Sequence, residues 1–192
     1  MFSITKKAKI WIYLKRQLIN PKGCEKSFVS IGFYYMFASL FYSIIKKIYT
    51  MKSIFLDTNV LIDFFADRKP FSIDAARLFD YSLKKKITIY ISAVSYNNIY
   101  YILRQSTGHS NTMKILNELK EWTEMVDVTK EVIFKSLKSE FKDFEDSIQY
   151  NCAKCVTKIE CIVTRDTKDF KLSSIPTMTP KEALTIIEST SH

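Results

Sequence analysis

Glycine and histidine are nearly missing from this chain of 192 residues, and acids are nearly missing from its first quarter. The only glycines are Gly23, Gly32 and Gly108. No stretch can therefore match GxxxxGKS/T or GxGxxG, the loops that cradle nucleotide phosphates. Kinase, ATPase and dinucleotide oxidoreductase functions are excluded with them. His109 and His192 cannot form an HExxH zinc site. Cys24, Cys152, Cys155 and Cys161 offer one CxxC without a second pair or a nearby histidine, half of a zinc site at best. Reduced thiols in a cytosolic domain are the simpler reading. Acid–base and metal chemistry has to come mainly from carboxylates.

The formal net charge is +9, but residues 1–50 alone carry +8, with Glu25 their single acid, which leaves +1 for residues 51–192. A basic balance normally points to nucleic acid or an anionic membrane; here it belongs to an N-terminal extension. Within that extension Phe28 to Ile45 runs for eighteen residues without a charge, between Lys26 and the pair Lys46 and Lys47. Three readings fit. The run is a marginal transmembrane segment, diluted by Gly32, Ser30, Ser39 and Ser43; or it is a soluble accessory helix; or residues 1–50 are upstream sequence, with Met51 the true initiator.

After Met51 the pattern alternates. Short apolar or β-branched runs at 53–56, 87–91, 125–128 and 160–164, and one near Thr177, read as strands. Between them lie amphipathic stretches at 72–86, 92–104, 112–122 and 139–155, with Pro180 opening a last helix after Thr179 as its cap. The polar stretch 106–111 is expected to separate two helices. Strands alternating with helices predict a three-layer α/β domain with a mainly parallel sheet flanked by helices.

In such a sheet ligands bind beyond the carboxyl ends of the strands. Asp57 follows the first strand, Asp166 and Asp169 follow the fourth, and Asp143, Glu145 and Asp146 open a helix. Carboxylates gathered there would repel one another unless a divalent cation lay between them, and oxygen-only ligands favour Mg²⁺ or Mn²⁺ over zinc. Each acid also has a structural reading: Asp57, Asp143 or Asp146 as a helix cap, Asp169 as a turn residue.

The segments Phe55-Leu56-Asp57-Thr58-Asn59-Val60-Leu61-Ile62-Asp63, Ile91 to Ser95, Asp143 to Gln149 and Ile162 to Phe170 together resemble the PIN domain family, and in pattern the VapC-type toxins of bacterial toxin–antitoxin pairs. The likeness runs in order from Ser53 to the TPxEAL-type ending at 179–184. It implies a Mg²⁺- or Mn²⁺-dependent endoribonuclease in the cytoplasm, a homodimer, with RNA as substrate and a cognate antitoxin as partner; a membrane enters only if residues 1–50 are translated. Carried over by motif, Asp57, Asp146 and Asp166 become catalytic and metal-binding, with Asp169 an additional metal ligand. Asn59 and Thr164 support them, and Asp143 and Glu145 flank them.

One departure stands out. The family pattern S-x-x-T-x-x-E on the helix after the second strand falls on Ser92, Ser95 and Asn98, so an amide replaces the usual Glu. An amide can offer an oxygen but supplies neither charge nor a base. This opens a second reading, a catalytically weak RNA- or protein-binding module. The near-neutral domain leaves Lys84 to Lys86, Arg104, Lys114, Lys142, Arg165 and Lys168 as candidates for phosphate contacts, and Tyr96, Tyr100 and Tyr101 as core, dimer or antitoxin contacts.

Overall fold

A computed structural model describes residues 51–189. The readings offered for residues 1–50 lie outside the described residues. Strands β1 (Ser53–Leu56), β2 (Thr88–Ser92), β3 (Glu124–Val126), β4 (Cys161–Val163) and β5 (Thr177–Met178) form one sheet in the order β3-β2-β1-β4-β5. Every neighbouring pair is parallel, with Phe55 of β1 opposite Tyr90 on one side and Ile162 on the other. The helices are α1 (Thr58–Phe65), α2 (Phe71–Leu83), α3 (Ala93–Trp122), α4 (Lys130–Leu137), α5 (Phe144–Cys155) and α6 (Pro180–Ser189).

Period-two alternation distributes the strand residues between two cores. Ile54 and Leu56, Ile89 and Ile91, and Cys161 and Val163 enter a cluster with Leu61, Leu78, Phe79, Ile99 and Leu184 from α1, α2, α3 and α6. Phe55 and Ile162 face the other way, onto Val132 of α4 and Ile148 and Cys152 of α5. Central strands buried on both faces need apolar residues at nearly every position, and Ile54-Phe55-Leu56 and CIV supply them. The expected three-layer α/β architecture is what these residues build.

One helix boundary differs from the sequence expectation and one expected break is observed. The break expected within 106–111 is found at Gly108, whose φ of 76° and ψ of 167° lie outside helical geometry and divide α3 into two helices across a kink. Open space surrounds the position where a Cβ would sit, so the left-handed φ, not crowding, is what favours glycine there. The helix expected from Ser139 begins instead at Phe144, because Asp143 caps it. The Thr179 cap of α6 is observed, with Glu182 returning a bond to the Thr179 N–H. Among the described residues no helix is long and apolar enough to cross a membrane.

Candidate active site

Asp57 directly follows β1, and its backbone N–H donates to Val163 O of β4 at 3.0 Å. It stands at the N-cap position of α1, yet its side chain makes no cap. Oδ1 accepts from Gln149 Nε2 at 2.8 Å and Oδ2 from Thr164 Oγ1 at 2.6 Å. Thr164 Oγ1 also receives Asn59 Nδ2 at 3.0 Å and the Asp166 N–H at 3.1 Å. Both of those groups are donors, so the hydroxyl proton is directed to Asp57. Asn59 is fixed in turn, because its Oδ1 accepts the Arg165 N–H at 3.2 Å. Asp57 is buried. Burial pushes its carboxyl above the ordinary range; hydrogen bonds from Thr164 and Gln149 oppose the rise, and the Glu145 charge adds to it.

The second acidic group opens α5. Asp143 is a helix cap, its Oδ1 accepting the Glu145 and Asp146 N–H groups at 2.7 and 3.2 Å. Glu145 and Asp146 follow in the first turn, where the helix dipole favours negative charge. Burial, followed by the charges of Asp57, Asp143, Asp169 and Glu145, pushes the Asp146 carboxyl up to about 7. Asp166 and Asp169 lie exposed in the loop after β4. Asp166 Oδ1 accepts the Lys168 N–H at 3.2 Å, and the Asp169 N–H donates to Asp166 O. Phe170, buried in the second core, anchors this loop.

Asp57, Asp143, Glu145 and Asp169 are thus all brought within electrostatic reach of Asp146, while Asp166 is tied to Asp57 through Thr164. Asn98 is half-buried one turn beyond Ser95, whose hydroxyl meets Thr58 Oγ1 at 2.8 Å, and the first turn of α3 contains no acid. Among the described residues none of the salt bridges reaches Asp57, Asp143, Glu145, Asp146, Asp166 or Asp169. Nor is any group of three or more ligating side chains already gathered around an ion position. The donor chemistry does fit a hard divalent cation: oxygen atoms only, on acids where burial and then mutual repulsion raise Asp146.

Sequence patterns do not single out several side chains that the fold brings to the site. Gln149 joins Asp57 to Glu145, with a signal in its i+4 spacing from Glu145. Asp63 forms an ion pair with Arg165, Nη1 to its two oxygens at 2.9 and 3.2 Å, and Arg165 lies over the Phe71 ring. Arg165 is therefore committed to the fold, as are Lys84, paired with Asp80, and Arg104, over Tyr100. Tyr96 packs against the first core, Tyr100 bonds to His109, and Tyr101 is exposed. Cys152, Cys155 and Cys161 are free thiols.

A family model described as PIN domain matches residues 53–168. Ribonuclease VapC1 of Aquifex aeolicus (strain VF5) is 27% identical over 143 residues, spanning 68% of this chain and 92% of that protein. A toxin–antitoxin complex from Klebsiella pneumoniae aligns with TM-score 0.50 and 24% identity over 66% of this chain and 97% of that one. DNA-bound VapBC from Salmonella typhimurium aligns with TM-score 0.53 and 14% identity, over 68% and 99%. The two solved structures speak to the fold alone.

Proposed function

Because this chain belongs to the PIN domain family, we propose that it is a metal-dependent endoribonuclease, the toxin of a toxin–antitoxin pair. The observation that carries this reading is the state of Asp57, a buried carboxylate whose oxygens are held by two obligatory neutral donors and whose charge has no cationic partner among the described residues. In this reading Asp57, Asp146 and Asp166, with Asp169, hold Mg²⁺ or Mn²⁺. Bound there, the cation would supply an activated water and neutralise charge developing on the RNA phosphate.

The chain's own residues do the remaining work. Thr164 and Gln149 fix the Asp57 carboxylate, Asn59 fixes Thr164, and Asp146, whose carboxyl without a cation is pushed up to about 7, would give up its proton as the cation binds. An antitoxin partner is part of the proposal, a structure of like fold having been solved as a toxin–antitoxin complex. A homodimer and work in the cytoplasm, where RNA is met, complete the proposal. The test is cleavage of single-stranded RNA by the purified protein with Mg²⁺, with Mn²⁺ and after chelation; cleavage that persists after chelation would sink the metal assignment.

A second reading rests on Asn98. With no acid in the first turn of α3, the protein binds RNA or a protein partner and cuts poorly. Titration with Mn²⁺ separates the two, since the enzyme binds the ion saturably and cuts in proportion.

A further inference from the structure

Gln149 is 1% exposed, on the face of α5 turned toward β1. Its amide orientation is forced: Oε1 accepts the Thr58 N–H at 3.1 Å, which can only donate, so Nε2 must face Asp57 Oδ1. The same nitrogen reaches Glu145 Oε1 at 3.3 Å. Both amide protons are therefore spent on carboxylates, and the acceptor is spent on the first backbone N–H of α1. Among the described residues, no other side chain joins Asp57 at the end of β1 to an acid at the opening of α5 by direct hydrogen bonds.

We propose that Gln149 is a positioning residue for the reaction, setting the orientation of the Asp57 carboxylate and locking the acid-bearing turn of α5 against the end of β1. This rests on the ribonuclease reading above. Satisfying the Thr58 N–H needs only an acceptor, which Gln149 Oε1 supplies; the donor end of the same amide faces the acid on which the proposed chemistry depends. Asp57 then has a forced donor on each oxygen, Gln149 on one and Thr164 on the other. Its remaining lone pairs stay in one arrangement without a rotamer search.

The test uses the full chain with Gln149→Met, which keeps the length and removes the donor, and Gln149→Asn, which keeps the amide but withdraws it by one methylene. Three quantities are read: thermal melting, Mn²⁺ affinity by electron paramagnetic resonance, and kcat and KM on a fluorescent single-stranded RNA that the parent cleaves. A folded variant should lose about 10- to 100-fold in kcat, in Mn²⁺ affinity or in both, the usual effect of removing a ligand's orienting partner, with KM unmoved. Parent-like kcat and Mn²⁺ affinity in either folded variant, or a change confined to KM or to melting, overturns the role. If neither variant folds, Gln149 is structural and the inference falls. A parent that neither binds Mn²⁺ nor cuts RNA overturns the ribonuclease reading itself; a competent parent matched by its variants overturns only the role of Gln149.

Discussion

Helix α1 has a buried aspartate at each end, and the two are treated in opposite ways. Asp63, 2% exposed, meets Arg165 through both oxygens and Arg68 at 4.0 Å. Asp57, 3% exposed at the other end, meets only neutral donors, and its charged neighbour Glu145 is also an acid. Burial pushes both carboxyls up, but the arginines answer for Asp63 while nothing cationic answers for Asp57 among the described residues. Burying a charge is costly unless it is paired. The Asp63 end is therefore complete as folded, whereas the Asp57 end is fixed in direction and unbalanced in charge, the condition expected of a site that waits for a cation.

The largest expected effect lies at the unbalanced end. Asp57→Asn should reduce Mg²⁺-dependent RNA cleavage about 100-fold or more, because several kcal/mol of transition-state stabilisation depend on the ion. Its melting temperature should change little, since relief of an uncompensated buried charge is offset by an amide NH₂ that must face Gln149 Nε2 or the Thr164 hydroxyl, both forced donors. Cleavage at the parental rate, measured with the same RNA and metal, would mean that Asp57 takes no part in the chemistry. Asp63→Asn should do the reverse. It strands Arg165 and should cost about 1–3 kcal/mol in urea unfolding, below the roughly 3–5 of a fully enclosed pair, because Arg165 is 40% exposed and can be solvated. Cleavage should fall less than in Asp57→Asn; a larger fall would make the Arg165 latch part of the chemistry.

The pH dependence of the metal-free protein follows from Asp146. Its carboxyl rises from 3.8 to about 7 in the folded state, so between those values the folded protein binds more protons than the unfolded chain. Stability is then highest below the lower value, declines as pH rises through that window, and levels off above about 7. Melting curves of the chelated protein should show this decline, Asp146→Asn should make it shallower, leaving the part due to Asp57 and Asp63, and Mn²⁺ should reverse it in the parent but not in Asp57→Asn. A flat parental profile would mean that the acids at the opening of α5 do not act on one another as the structure places them.

Much of the fold is legible in the sequence, and the reasons are local. SIFL and ECIVT read as buried parallel strands because nearly every position is apolar or β-branched, and a strand ending in an acid places that acid beyond the sheet. The roles of the acids are harder to read. Capping preference alone offers Asp57 and Asp143 the same structural part; the structure gives it to Asp143 and withholds it from Asp57, whose partners lie 92 and 107 residues away. The Asp63–Arg165 pair spans 102 residues and Gln149 reaches Thr58 across 91, distances that no periodicity reports. The break in α3 is legible too, since the polar stretch 106–111 contains Gly108, the residue whose non-helical φ and ψ divide the helix in two.

The smallest expected effect tests the departure at Asn98. Asn98→Glu adds a carboxylate on a half-buried face, one turn beyond the Ser95–Thr58 contact. After solvent screening, its gain toward a bound cation should be about 0.5–1 kcal/mol, or about two- to fivefold tighter Mn²⁺ binding. The same charge should lower the metal-free melting temperature above the carboxylate range, because it joins acids that already repel one another. The sign of that pair of changes is what matters. Tighter ion binding together with a less stable metal-free protein would place Asn98 at the unbalanced end of α1, among the acids of the proposed site. No change in either, by Mn²⁺ titration and melting, would mean that α3 contributes nothing to the charge balance there. Asp57 and the α5 acids would then carry it without help from Asn98.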